Sequence, residues 1–156
     1  MINKGYLSQD FQLRMPGSMG CLLSHVTLWK HVHQLPDCNI ALICEDDVVL
    51  DPDFIKQLGE IPWMDVPENW DIIKLAYHHL DGKPVSKHVP KPNLILKKGT
   101  NSGTFCYLMK SKSGPRLKNI LIPYNNINSM DVMLRKNFDK FHPYLLRSQL
   151  AHENQY

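Results

Sequence analysis

Three adjacent carboxylates, Glu45-Asp46-Asp47, close the apolar run Ile40-Ala-Leu-Ile-Cys44 and are followed at once by Val48-Val-Leu50. In a partly buried site such a triplet costs several kcal/mol of mutual repulsion unless a cation neutralises it. An all-oxygen donor set suits magnesium or manganese rather than zinc, which prefers nitrogen and sulfur. The same residues are equally compatible with an exposed acidic turn capping a helix that begins at Pro52. The four cysteines, Cys21, Cys38, Cys44 and Cys106, have no CxxC spacing. Three of them lie inside apolar patterns, so the reading is reduced, buried, small apolar side chains, with a disulfide or metal role as the alternative.

The acidic triplet needs a rigid element to position it, and the chain supplies a regular alternation of them. Pro16-Gly17-Ser18 reads as a turn with an N-cap at Ser18, followed by apolar residues at helical spacing from Cys21 to Leu35 and a stop before Pro36. The unbroken run 39–44 has the length and composition of a central strand covered on both faces. Asp51-Pro52 starts a short helix through about Leu58. A second apolar strand spans 71–77, and the proline-rich stretch 82–93 reads as a surface excursion or hairpin. Two short strands at 94–96 and 104–109 flank a polar loop. Ser113-Gly114-Pro115 and Ser129 each introduce a further helix, through about Leu121 and Asn137. Strands alternating with helices predict an α/β fold with a mixed sheet, and open sheets of this class bind ligands beyond the carboxyl ends of their strands.

Composition narrows the function classes. The chain has 156 residues, 43% of them hydrophobic, enough for one domain with a real core and too apolar for disorder. Its net charge of +3 conceals a strong asymmetry. Residues 37–81 hold eleven acids against Lys56 and Lys74, whereas residues 82–130 hold nine bases and no acid. The basic stretch is broken by apolar runs, which argues against a nucleic-acid-binding tail. No apolar run is long enough to span a membrane and the N-terminus lacks a signal-peptide core. The expectation is a cytoplasmic protein, or one peripheral to the inner membrane, with no nucleic-acid partner.

Gly20-Cys21-Leu22-Leu23-Ser24-His25, then Trp29, then the strand ending in Glu45-Asp46-Asp47 with Phe54 beyond it, resembles the signature of glycosyltransferase family 25. That family includes lipopolysaccharide and lipooligosaccharide galactosyltransferases and procollagen galactosyltransferases. Gly99-Thr100 to Tyr107 with Ser111 and Gly114, Asp131-Val-Met-Leu134, and His142-Pro143-Tyr144 with Gln149 match it in order. The resemblance implies a GT-A-like nucleotide-diphospho-sugar transferase fold, a mixed sheet flanked by helices in a single domain over residues 1–156. It also implies a UDP-sugar donor, UDP-galactose in most members, and inverting transfer to a hydroxyl on an oligosaccharide, a lipid-linked glycan or a protein.

The resemblance assigns roles as well. Asp47 with Glu45 would hold the metal, Mn or Mg, that stabilises the departing diphosphate, with Asp46 beside them at the donor. Inversion needs one carboxylate acting as general base on the acceptor hydroxyl, and Asp131 is the candidate. Its position two residues after Ser129 equally suits a carboxylate stabilised by a helix dipole. Ser24 and His25 would contact the donor, although His25 also reads as a packed core histidine. Thr100 and Asn101 would bond sugar or acceptor hydroxyls, or simply form a polar turn. His152 is a third metal ligand or a frayed terminal residue. Lys97 and Lys98 could meet a diphosphate.

The pattern departs from the family at its start. Members open with a strand and an arginine-containing segment well before the Gly-Cys-x-x-Ser-His helix, and only nineteen residues precede Gly20 here. The expectation is therefore an N-terminally truncated domain, and the alternative function is a catalytically incomplete remnant acting as a binding module. A haloacid-dehalogenase-type phosphatase also places acid-x-acid after an apolar strand, but it needs aspartate where Glu45 stands.

Overall fold

A computed structural model describes residues 4–9, 11–12, 15–61, 63–78, 83–84, 96–98, 103–125 and 127–154. The architecture is mixed α/β, and the chain divides into two compact units, Met1–Asn39 with Ser111–Phe141 and Ile40–Lys110 with His142–Tyr156.

The first unit is helical. Helix α1, Pro16–Gln34, begins with proline at its first position, where a missing N–H costs nothing. It starts ahead of the Ser18 cap expected from sequence, because Pro16 already has the φ a helix requires. Leu22, His25, Val26, Trp29 and Val32 form its buried stripe, at the spacing of one helix face. Leu28 and Leu35 fall outside that stripe and are about two-fifths exposed, 39% and 41%.

Helix α3, Gly114–Leu121, packs against α1, as does α4, Met130–Lys136. Leu117, Leu121, Met130 and Leu134 face inward. The crossing of α1 and α3 is close enough to demand a glycine: a Cβ on Gly114 would lie 2.7 Å from the backbone oxygen of Trp29. Gly20, by contrast, has open space where its side chain would be. Tyr124 is fully buried, and its hydroxyl donates to the Asn128 carbonyl at 3.1 Å.

The second unit holds every strand described. They are β1 (Ile40–Cys44), β2 (Val48–Leu50), β3 (Ile72–Ala76), β4 (Lys83–Pro84), β5 (Leu96–Lys98), β6 (Cys106–Lys110), β7 (Pro143–Leu146) and β8 (Ala151–Glu153). Six of them form one sheet in the order β1-β6-β3-β7-β5-β4, and β2 pairs with β8 in a second. Only β3 and β7 run parallel, so the sheet is mixed, as expected. Lys83–Pro84 pairs antiparallel with β5, and the rest of the proline-rich stretch lies outside the described residues. One sheet face carries Ile73, Leu75, Cys106, Leu108, Tyr144 and Leu146. It is covered by Phe54 of helix α2 (Phe54–Gly59) and by Ile61, Trp70 and Leu150.

Two sequence expectations need correction here. Among the described strands the run 40–44 lies at the edge of the sheet, not at its centre: β1 pairs with β6, and Ile40 and Leu42 are 46% and 41% exposed. Strand order is set by pairing between distant segments, which apolar composition does not encode. The cysteines, expected to be buried, are not so as a group: of the four only Cys106 is buried, Cys21 and Cys38 are half-buried, and Cys44 is exposed.

The end of β3 is tied down by polar contacts. The Tyr77 hydroxyl donates to the carbonyls of Leu146 and Arg147 at 2.5 and 2.9 Å, and the Tyr77 N–H donates to the Gln149 side chain at 2.8 Å. Burial pushes the Tyr77 phenol up from 10.0 to about 12. Above pH 10 an unfolded tyrosine gives up its proton while Tyr77 keeps it, so ionisation favours unfolding. The stability this group contributes is whole below pH 10 and is lost as pH rises towards 12. Tyr77→Phe should lower neutral-pH stability by roughly 1–3 kcal/mol, because two carbonyls lose their donor. It should also flatten the alkaline fall. Urea unfolding on either side of pH 10 separates the two effects; burial raises Tyr144 as well, and the difference between wild type and variant removes that shared contribution.

Candidate functional site

The acidic turn follows β1 and is held by residues from three other segments of its unit. The Glu45 N–H donates to the Phe105 carbonyl at 2.8 Å, continuing the β1–β6 ladder by one residue. Thr104 donates its hydroxyl to Glu45 Oε1 at 2.7 Å. On the far side, the Asn154 N–H donates to the Asp47 carbonyl at 2.8 Å, beside the pairing of β2 with β8. The Asp51 N–H donates to the Leu150 carbonyl, and the Leu150 N–H to the Leu75 carbonyl, so the segment crossing the end of β3 also braces the turn.

Within this turn the three carboxylates differ. Asp46 is exposed, whereas Glu45 and Asp47 are half-buried. Asp47 Oδ1 is buried and has no hydrogen-bond partner among the described residues. A buried carboxylate oxygen without a donor is costly, and a cation relieves it. The oxygen donors present thus fit magnesium or manganese, with Asp47 the stronger candidate ligand and Glu45 partly engaged by Thr104.

Thr104 was not singled out from sequence. Its only signal there was a hydroxyl immediately after Gly103, and its partner Glu45 is remote in the chain. Gly103 adopts φ +89°, and a Cβ there would lie 2.5 Å from the Phe105 ring. Its carbonyl accepts the buried Lys74 ammonium at 2.7 Å. Gly103 and Lys74 together fix where the backbone turns into Thr104.

His152 lies in β8 opposite Val49, with its Nδ1 3.6 Å from Asp51 Oδ1, so it is neither frayed nor turned to Asp47 by that contact. Asp51 is the carboxylate nearest to it among the contacts described. Directly before the turn, Cys44 faces Cys106 across the β1–β6 ladder, with the sulfurs 3.4 Å apart. Burial and the neighbouring Cys44 thiol push Cys106 far above the ordinary thiol range.

Other residues singled out from sequence lie in the helical unit. Asp131 occupies the first turn of α4, half-buried, and accepts the Ser129 hydroxyl at 2.5 Å. Ser129 stands at the N-cap position but makes no side-chain cap bond to a backbone N–H, its hydroxyl being donated to Asp131 instead. His25 is buried on α1, its ring 6.2 Å from that of Trp29 in an edge-on arrangement. Ser24 is exposed, and with Leu23, Thr27, Leu28 and His31 it lines an open groove along α1. Thr100 and Asn101 lie outside the described residues, as do the side chains of Lys97 and Lys98. Among the described residues, no helix is long and apolar enough to cross a membrane.

Comparison with known proteins bears on these positions. The family model described as "Glycosyltransferase family 25 (LPS biosynthesis protein)" matches residues 14–134, most of the chain. Procollagen galactosyltransferase 1-B of Xenopus laevis is 26% identical over 133 residues, covering 81% of this chain and 21% of that protein. Procollagen galactosyltransferase 2 of Homo sapiens is 26% identical over 131 residues, covering 81% and 20%. The chain spans about a fifth of the length of these curated relatives.

Proposed function

This chain belongs to glycosyltransferase family 25, and on that premise we propose that it transfers a hexose, galactose first among candidates, from a UDP-sugar to an acceptor hydroxyl with inversion. The observation that carries the reading is the buried Asp47 Oδ1, without a hydrogen-bond partner among the described residues, in an acidic turn at the carboxyl end of a strand. A divalent ion, Mn or Mg, would supply Lewis-acid stabilisation of the charge that develops on the departing diphosphate. Asp47 and Glu45 would hold it, with Thr104 fixing the Glu45 rotamer through its hydroxyl. Asp46, exposed on the same turn, would order water or a second phosphate oxygen.

Inversion calls for a single in-line displacement, so one base must take the acceptor proton as the bond forms. We assign that role to Asp131, whose carboxylate is oriented by Ser129. Ser24, His25, Thr100 and Asn101 are the proposed donor and acceptor contacts. The family's lipopolysaccharide association and the procollagen galactosyltransferase relatives leave the acceptor as an oligosaccharide, a lipid-linked glycan or a protein hydroxyl.

UDP release from a panel of UDP-sugars, with manganese or with EDTA, tests the proposal. UDP-galactose with manganese is expected to give the largest release, and UDP with manganese to raise the melting temperature, as any ligand of the folded state does. Absence of a thermal shift at millimolar UDP overturns donor binding. A shift without turnover leaves a binding module.

A further inference from the structure

We propose that Cys44 and Cys106 form a reversible cross-strand disulfide at the base of the acidic turn, a redox modification site on the sheet edge. The pairing register carries the argument. Ser111 donates to Asn39 and Glu45 donates to Phe105, so the hydrogen-bonded pairs of the β1–β6 ladder are its alternate rungs. Cys44 and Cys106 therefore face each other at a non-hydrogen-bonded rung. There the Cα atoms of antiparallel strands stand about 4.5 Å apart with their side chains on one face. That separation falls within the roughly 4.4–6.8 Å range a disulfide bridges without backbone movement. The sulfurs are already 3.4 Å apart.

Access is asymmetric in a way that suits a two-step exchange. Cys44 is exposed on an edge strand and Cys106 is buried behind it. With a low-molecular-weight disulfide such as oxidised glutathione as oxidant, Cys44 attacks one glutathione sulfur and the other leaves as a thiolate. Cys106 then gives up its proton, attacks the Cys44 sulfur and expels the second glutathione. Two protein thiols become one disulfide and one glutathione disulfide becomes two thiols, which carry the two protons. Burial of Cys106 makes the second step the slower one. No other thiol reaches Cys44 among the contacts described, whereas Cys106 is held opposite it by the ladder itself.

The test is to incubate the intact reduced protein with oxidised glutathione and follow it by mass spectrometry with peptide mapping. The expected result is loss of two hydrogens, a peptide pair joining Cys44 to Cys106, and full reversal by dithiothreitol. Cys44→Ser, an exposed substitution that should leave the fold intact, abolishes the cross-link, while Cys21→Ser and Cys38→Ser leave it unchanged. A glutathione adduct that persists on Cys44, a cross-link involving Cys21 or Cys38, or no loss of hydrogen in the wild-type protein overturns the proposal. Because the readout is the wild-type peptide map, it does not depend on the behaviour of any variant or on transferase activity.

Discussion

Asp47→Asn is expected to lower UDP-sugar turnover by about 10²–10³-fold while leaving the unliganded protein at least as stable as wild type. The two halves of that outcome share one cause. Asp47 Oδ1 is buried without a hydrogen-bond partner among the described residues, so in the absence of a cation the carboxylate is a liability that the fold tolerates. Asparagine keeps the size, removes the charge and retains an oxygen, which relieves the burial penalty but gives up most of the attraction for a divalent ion. The manganese-dependent thermal shift with UDP should vanish in the variant. Sites built for function commonly carry such a local cost, and its removal stabilises. If the variant instead unfolds more easily and keeps its manganese response, Asp47 is a structural residue and the metal lies elsewhere.

Trp29→Ala should produce the largest loss of stability, about 3–5 kcal/mol. Trp29 is 1% exposed in the middle of the α1 stripe, with Leu22, His25, Val26 and Val32. Its backbone oxygen also lies where α3 comes closest, opposite Gly114. Truncation leaves a cavity that a helix held by a close crossing cannot easily collapse to fill. Trp29→Phe, which keeps an aromatic ring against His25, should cost much less. Chemical denaturation followed by far-ultraviolet circular dichroism compares the two. A loss below about 1 kcal/mol for the alanine variant would mean that the helical unit repacks freely around α1.

Local signals made much of this architecture legible. The α1 stripe, the start of α3 at Gly114-Pro115, the strand at β3 and the helix after Ser129 all follow from periodicity and φ restriction, each encoded within a few neighbouring residues, whereas Pro16 reads as part of a turn and proves to be the first residue of α1. The family was readable because Gly20-Cys-Leu-Leu-Ser-His25 and Glu45-Asp-Asp47 keep a characteristic order, and the family match covers both. What sequence did not convey depends on distant partners. Nothing in Ile40–Cys44 distinguishes an edge strand from a central one, since no proline or charge marks the edge. Val48–Leu50 is too short to read as a strand until β8 lies beside it. The Thr104 bond to Glu45 and the meeting of Cys44 with Cys106 arise only from the β1–β6 register. The charge asymmetry between residues 37–81 and 82–130 likewise gains meaning only in part. Lys74 is buried against the Gly103 carbonyl, and Lys110 donates to the Glu68 carbonyl while lying over the Trp70 ring, 4.9 Å from its centroid.

The brace from Asn154 to the Asp47 carbonyl, with Leu150 bonded to both Asp51 and Leu75, has a bearing on biosynthesis. Glu45, Asp46 and Asp47 leave the ribosome well ahead of Leu150 and Asn154, which brace their turn. Contacts so distant in sequence slow folding, so the turn is expected to order late, which pulse-labelled hydrogen exchange at Asn154 and Asp51 would check. Until then the nascent chain carries an unbraced acidic loop beside an open sheet edge, a state in which chaperone capture competes with completion of the fold.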